Sequence, residues 1–348
     1  MDLITLLEFI LYAIAAGVVS LCLLSWFTPW PVRTRSELQQ AMFIYNPEIS
    51  SSEQFQSLLL GGSFGQLQST DPDLYLSVVV PAMNEAKRLP AMLDECLPYL
   101  ERRQAADPLF TYEASFSKHL SRSFSCIACE GKHGSVYFCY VFSAYICYVL
   151  LQIIVVDDGS GAVRSGVLCA RGALILFADA DGATKFWDFD RVEGELLSLI
   201  APNNHLTRDL SKLNWLSQAI AVGSRAHMEK ESIATRSLAR TLLMIGFHCM
   251  VYIFAVRTVR DTQCGFKLFT RGAAAKLFPL LHIERWAFDV ELLFLAEHFC
   301  IPIAEVAVTW HEVDGSKIVP VLSWIQMGRD LILIWFRYAT ALWSYDLL

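Results

Sequence analysis

Three hydrophobic patterns alternate along the chain. The first is an unbroken apolar run: nineteen residues from Phe9 to Phe27 carry no charge, and Thr28-Pro29-Trp30-Pro31 ends them. A helix of that length rises about 28 Å, close to the hydrocarbon thickness of a bilayer. Residues 1–32 are therefore expected to form an N-terminal signal anchor, a transmembrane helix with Trp26 and Trp30 at an interface. A cleaved leader fits poorly, because Asp2 and Glu8 precede the run and the small-residue site Ala13-Ile14-Ala15 lies inside it. Arg33 and Arg35 follow the span, which by the positive-inside rule puts the rest of the chain in the cytosol.

The second pattern is the short β-rich run that ends in polar residues. Leu76-Ser77-Val78-Val79-Val80 ends at Pro81, Gln152–Val156 ends in Asp157-Asp158-Gly159-Ser160, and Ala173–Ala178 ends in Asp179-Ala180-Asp181-Gly182. Runs this apolar suit parallel strands buried on both faces. The third pattern is helical spacing. Leu89, Leu93, Leu97 and Leu100 share one side of residues 86–105; 233–257 and 286–299 also read as helices, with loop and strand over 260–270. Strands alternating with helices predict an α/β domain with a mostly parallel sheet over residues 74–315, its site at the carboxyl ends of the strands.

Residues 33–73 are polar and turn-rich around Gly61-Gly62-Ser63, and read as a linker or short membrane-proximal helices. In 316–348, Trp324, Ile325, Leu331, Ile332, Ile334 and Trp335 are interleaved with Arg329, Asp330 and Arg337. No uncharged window there is long enough to span. The segment reads either as an amphipathic helix on the membrane surface or as a packed domain helix.

Composition adds three points. Apolar residues make up 54% and charged residues 18%, with mean hydropathy +0.40, a balance that favours a lipid bilayer as one partner. A net charge of −7 supplies no basic face for nucleic acid. Ten cysteines follow no regular framework. Cys126 and Cys129 make one Cys-x-x-Cys, but Cys139 and Cys147 lack paired ligand spacing, so reduced thiols in a cytosol-facing domain are expected rather than a zinc site.

Candidate chemistry sits at the strand ends. Pro81 terminates the first strand, and Glu85 beyond it can reach a ribose or a base. Asp157 and Asp158 can accept from nucleobase N–H groups and ribose hydroxyls. Asp179 and Asp181 offer hard oxygen ligands on a short loop, suited to Mg²⁺ or Mn²⁺ bound through one or two carboxylates plus substrate phosphates. Singly, each could be a solvated loop carboxylate. Three such groups in chain order, each after an apolar strand, point to a nucleotide site.

Several longer runs carry a resemblance. Asp179–Phe186 (DADGATKF), Gly223–Ile233 (GSRAHMEKESI), Arg260–Phe269 (RDTQCGFKLF) and Glu284–Leu293 (ERWAFDVELL), continued by Ile301–Val306 and Gly315-Ser316-Lys317, resemble the dolichyl-phosphate β-glucosyltransferases among the inverting family 2 glycosyltransferases. The match is close over residues 75–113, 152–200 and 220–340 and loose over the anchor. It implies a GT-A (Rossmann-like) nucleotide-sugar transferase domain that moves glucose from UDP-glucose to dolichyl phosphate for protein N-glycosylation. It also implies a single-pass endoplasmic reticulum membrane protein with a cytosolic catalytic domain.

By the same resemblance Pro81 and Glu85 line the nucleotide site, Asp157 and Asp158 hold uracil and ribose, and Asp179 and Asp181 hold the metal and diphosphate. Arg225, Gln263 and Lys267 face the sugar diphosphate or the acceptor phosphate, and Asp289 stands where related enzymes have a general base. A phosphate monoester has its second pKa near ~6 and arrives largely ionised at neutral pH. Asp289 thus has two readings, a base or a residue that orients the acceptor or pairs with Arg285. The reaction implied is one in-line displacement: an acceptor phosphate oxygen attacks the anomeric carbon opposite the leaving UDP, turning an α-linked donor into a β-linked product. A dolichyl-phosphate mannosyltransferase shares the early motifs, and a catalytically impaired, membrane-bound pseudoenzyme would keep the fold without turnover. A processive synthase fits poorly, since Arg285-Trp286 is all that stands for Gln-x-x-Arg-Trp.

Two stretches depart from that family. Ala114–Leu151 has no counterpart in it; the segment begins with Lys118, His119 and Arg122 and ends in the aromatic-rich Val136–Leu151. The uncharged run Val136–Val156 is long enough to span a membrane, but a span there would split the sheet across the bilayer, so an extra hairpin or a disordered loop is expected. Second, eighteen residues separate Ser160 from Asp179, room for one helix and one strand where the family has an additional helix, strand and basic glycine-rich loop. An insertion beside a deletion is what an alternative transcript or a misplaced exon boundary produces. It predicts lost packing partners, exposed apolar surface and fewer cations near the phosphates.

Overall fold

The apolar run Leu74–Pro81 forms β3, the strand around which the sheet is built, with Tyr75 through Val80 fully buried. The structure is a computed structural model that describes residues 3–30, 42–46, 51–55, 58, 72, 74–81, 88–113, 127–130, 136–140, 154–157, 162–168, 170–201, 209–228, 238–283, 286–313 and 322–346. On one edge β3 pairs in parallel with β8 (Gly172–Ala178). On the other it pairs in parallel with both β4 (Tyr112–Glu113) and β7 (Ile154–Asp157). Beyond β8 come β10 (Phe266–Thr270), β9 (Ile220–Ser224) and β11 (Ile303–Ala307). Because β10 runs antiparallel to both β8 and β9, the strands β11, β9, β8, β3 and β7 all point one way. Their carboxyl ends share one rim of the sheet, as the alternation of strands and helices predicts.

Strand periodicity divides the core between the two faces. Ile175 and Phe177 of β8 face one cluster, and Leu174, Leu176 and Ala178 face the other. On the first face lie α3 (Ala162–Leu168), α5 (Leu238–Phe254), α6 (Arg271–Leu277), α7 (Phe288–His298) and α8 (Leu322–Ala339). The second is covered by α2 (Leu89–Ala106), whose Leu89, Leu93 and Leu100 are buried as their spacing predicts, and by α4 (Phe189–Ile200).

The register of β4 and β7 explains the unmatched segment. Ser77 pairs with Glu113 and Val79 with Ile154, so the two strands lie end to end with room for one residue between them. The chain leaves a strand line after Glu113 and is back on it at Ile154. The excursion contains the expected hairpin, β5 (Ile127–Glu130) and β6 (Val136–Tyr140), and β6 pairs antiparallel with the outer edge of β7. That edge is thus covered despite the short connection after Ser160, which α3 and β8 fill.

Within residues 33–73 the described part differs from a linker or short helices. Met42–Asn46 (β1) and Ser51–Phe55 (β2) form an antiparallel hairpin. Met42-Phe43-Ile44-Tyr45 is rich in aromatic and branched side chains, and Asn46-Pro47 supplies turn chemistry. Leu58 is buried, and its N–H donates to the Leu168 carbonyl.

At the N-terminus α1 (Leu3–Phe27) covers the long apolar run and leaves Val18, Val19, Leu23, Trp26 and Phe27 exposed. Among the described residues no helix is long and apolar enough to cross a membrane. The C-terminal α8 packs as a domain helix through Met327, Leu331, Ile334 and Tyr338, yet turns Ile325 and Trp335 outward.

Candidate functional site

Asp179 follows directly from the last residue of β8, and its N–H donates to the Gly265 carbonyl across the β8–β10 pair (2.9 Å). The carboxylate lies against Gly265: a Cβ built there would fall 1.8 Å from Asp179 Oδ2. Solvent reaches the side chain through the mouth of the cleft, while protein surrounds it on the other sides. Its carboxyl is pushed up to about 7, first by desolvation and then by the charges of Asp181 and Asp289, with Lys267 and Arg225 pulling the other way.

Asp181 is held by the turn that follows it. Gly182 has φ +68, a conformation that L side chains rarely adopt, and the Ala183 N–H donates to Asp181 Oδ1 (3.0 Å). Arg88, at the start of α2, stands 3.7 Å from Asp181 Oδ2. The loop from Asp179 to Asp188 is clamped on both sides. Glu95 of α2 accepts from the Phe186 N–H (2.7 Å) and pairs with Lys185 (2.9 Å); on the other side Asp188 accepts from the Thr309 N–H, and the His311 N–H donates to the Ala183 carbonyl.

Lys267 lies on β10 with no accessible surface, and its ammonium donates to Asp289 Oδ1 and to the Cys264 carbonyl, both at 2.7 Å. Asp289 lies in the first turn of α7. Burial raises its carboxyl above the ordinary value, and the Lys267 ammonium opposes that rise. Arg225, just past β9, is gripped by Asp261: Nε and Nη2 donate to the two carboxylate oxygens at 2.7 and 2.8 Å, and the Arg225 N–H donates at 2.8 Å. Burial alone would raise the Asp261 carboxyl, but the hydrogen bonds and charge of Arg225 hold it below the usual range. Glu305 of β11 fixes this corner, accepting from Ser224 Oγ and from the N–H groups of Arg260 and Asp261.

Asp179, Asp181, Lys267, Asp289 and Arg225 thus gather at one rim of the sheet, near enough for Asp179 to feel the charge of the other four. Gln263 reaches toward the Trp286 carbonyl (3.5 Å), and Pro81 ends β3, half-buried. Asp157 ends β7, opposite Phe138 in register. Glu85 and Asp158 lie outside the described residues. Sequence reasoning missed Gly265, Asp261, Glu305, Glu95 and Arg88. The first two stand inside RDTQCGFKLF, the second as its only carboxylate, and that was the available signal.

The donor chemistry fits a divalent cation: two carboxylates on one strand end, with solvent access, leave most of a hard cation's coordination to substrate phosphates. Such an α/β domain, with acidic strand ends beside a buried lysine and a half-buried arginine, defines a protein that handles a charged, phosphate-bearing ligand. No protein-family model matches the chain. The dolichyl-phosphate β-glucosyltransferase of Drosophila melanogaster is 52% identical over 275 residues, 78% of each chain, and that of Homo sapiens is 50% identical over 281 residues, 79% of each. The chain belongs to the dolichyl-phosphate β-glucosyltransferase family. Among solved structures, mannosyl-3-phosphoglycerate synthase from Rubrobacter xylanophilus overlaps with TM-score 0.42 at 13% identity, covering 79% of this chain and 77% of its own. An overlap that loose establishes nothing further about this chain.

Proposed function

We propose that the protein is a GT-A glycosyltransferase that moves glucose from UDP-glucose to dolichyl phosphate with inversion, giving dolichyl β-D-glucosyl phosphate for protein N-glycosylation. One observation carries the reading: a member of this family gathers Asp179, Asp181, Asp289 and Lys267 at one rim of its sheet. Asp179 and Asp181 would hold Mg²⁺ or Mn²⁺, which when bound offsets charge developing on the leaving diphosphate. Lys267 fixes Asp289 through a 2.7 Å hydrogen bond. An acceptor phosphate that arrives ionised has no proton for Asp289 to remove, so Asp289 serves instead to hold the buried Lys267 ammonium beside the site. Arg225, braced by Asp261 and partly exposed, lowers the repulsion between the two anionic substrates. By family resemblance Pro81 and Glu85 are assigned to the lining of the nucleotide site, and Asp157 and Asp158 to uracil and ribose.

The experiment is transfer of labelled glucose from UDP-glucose to dolichyl phosphate by the purified, membrane-reconstituted protein, beside an Asp181→Ala control. Product from the unaltered protein and none from the control is the expected result. UDP binding without product would instead favour a pseudoenzyme, and competition by GDP-mannose a mannosyltransferase.

We also propose that residues 1–32 anchor the protein in the endoplasmic reticulum membrane, with the catalytic domain cytosolic. The exposed apolar side chains of α1 support this, as do Arg33 and Arg35 after it. So does a second apolar surface, Ile245, Tyr252 and Ile253 of α5 beside Ile325 and Trp335 of α8, where Phe254 meets Trp335 edge to face. Protease digestion of sealed microsomes should remove the domain from the outside; full protection would overturn this orientation.

A further inference from the structure

Arg337 and Tyr338 are neighbours on α8, about 100° apart around the helix, and so reach different partners. The Arg337 guanidinium is buried. Its Nε donates to Ser25 Oγ (3.1 Å), and Nη2 donates to the carbonyls of Ser25 (2.9 Å) and Thr28 (2.5 Å). These acceptors lie at the carboxyl end of α1, where helix carbonyls lack intrahelical donors and the helix dipole favours a cation. The guanidinium also sits 4.0 Å from the centre of the Trp30 ring and 5.0 Å from that of Trp343. Trp30 and Trp343 meet edge to face.

Tyr338 faces the other way. Its hydroxyl donates to Glu291 Oε1 (3.0 Å), and Glu291 has no accessible surface. Glu291 also accepts from the N–H groups of His282 (3.0 Å) and Ile283 (2.6 Å), and lies 3.0 Å from His282 Nδ1. It therefore fixes the segment that leads into α7, and it lies two residues beyond Asp289 on that helix. An unbroken set of buried contacts thus runs from the end of α1 through Arg337, Tyr338 and Glu291 to the helix that bears Asp289.

Simple adhesion of α1 to α8 does not require this arrangement. Burying an arginine carries a desolvation penalty, and apolar side chains of similar volume would pack two helices at least as firmly. A planar fork donating to named carbonyls fixes where one helix sits on the other. We infer that Arg337 and Tyr338 are positioning residues for the proposed transfer. They set α1 against the Asp289 helix, so that a phosphate carried on a membrane-embedded chain meets the cleft at a fixed height. The inference rests on the function proposed above.

The test uses the full-length protein with Arg337→Lys, which keeps the charge but not the fork, and Tyr338→Phe, which removes one hydroxyl. For each, kcat/KM is measured with dolichyl phosphate in liposomes and with a short-chain isoprenyl phosphate in solution, and UDP affinity is measured alongside. The expected result is a loss of about tenfold or more on the liposome acceptor, with the soluble acceptor and UDP within about twofold of the unaltered protein, because misplacement of a reacting group by a fraction of an ångström costs rate in this range. A merely structural role would lower both acceptors together; that result, or no change on either, overturns the inference alone. No glucose transfer by the unaltered protein to either acceptor would overturn the proposed function and this inference with it. Should Arg337→Lys fail to fold, the same two acceptors measured on Tyr338→Phe decide.

Discussion

The Asp179 carboxylate rests on the backbone of Gly265, in space that any side chain at residue 265 would fill. The strand end that bears the first acidic residue is therefore shaped by the residue before β10, on a neighbouring strand. Gly265→Ala must push the carboxylate out of the cleft floor or part β8 from β10. Because a misplacement of about 1 Å in a site of this kind costs on the order of 100-fold, glucose transfer should fall by about that much. The measurement is kcat for labelled glucose transfer, with circular dichroism to show that the fold persists. Activity within about threefold of the unaltered protein would mean that Asp179 need not lie where it does.

Asp261 and Arg225 form a two-pronged pair whose charge is spent mostly on each other. Asp261→Asn keeps the shape and removes the charge. Hydrogen bonds to charged groups are each worth roughly 1.5–3 kcal/mol, and the partial exposure of Arg225 puts the expected loss at the lower end, about 2 kcal/mol in a denaturant titration. Transfer should fall as well, through a weaker KM for UDP-glucose, since the freed guanidinium shifts beside Asp179. Unchanged stability and unchanged KM together would show that the pair does neither job.

Most of this rim was legible in the sequence because its residues follow apolar runs. A buried strand announces itself by composition, and the polar residue that ends it must lie at the sheet's edge, so Asp179 and Asp181 could be placed without coordinates. The partner that braces each group was not legible. Asp261 is a carboxylate in a loop, and only the β9–β10 pairing shows that it faces Arg225. The resemblance puts Lys267 against a substrate anion, whereas its ammonium lies on the nearby Cys264 carbonyl and on Asp289, which only the fold brings beside it. The hairpin within 42–55 was missed for a local reason, since polar residues on both sides hid two five-residue strands. Arg337 reads as the polar face of an amphipathic helix, yet it is buried because the end of α1 presents carbonyls to it.

The raised Asp179 carboxyl has a thermodynamic consequence with a definite sign. Its pKa goes from 3.8 to about 7 on folding, so between those values the folded chain binds more protons than the unfolded one. Stability from this group is thus full below pH ~4 and declines as pH rises through ~7. In metal-free buffer, the stability of the unaltered protein relative to Asp179→Asn should fall as pH goes from ~4 to ~7 and level off above. Calorimetry or urea titration at several pH values gives the difference; a gap that widens in favour of the unaltered protein with rising pH would show that cations dominate the environment of this carboxylate.

The pairing of β3 with both β4 and β7 makes a length-specific prediction about the unmatched segment. With Ser77 opposite Glu113 and Val79 opposite Ile154, the residue opposite Val78 is Ile153 once the excursion is removed. Joining Glu113 to Ile153 therefore continues one strand in register, whereas a join one residue shorter or longer turns the β7 side chains to the wrong faces. The in-register deletion also takes away β6, which pairs with the outer edge of β7. Loop-closure entropy of roughly 3 kcal/mol is recovered, and an unpaired strand edge is exposed in return. The shortened protein should fold and bind UDP as the full chain does, but self-associate in a concentration-dependent way that the full chain does not. Light scattering and UDP titration on both proteins separate the two effects. If the in-register deletion loses UDP affinity while a deletion differing by one residue keeps it, then β4 and β7 are not two halves of one strand.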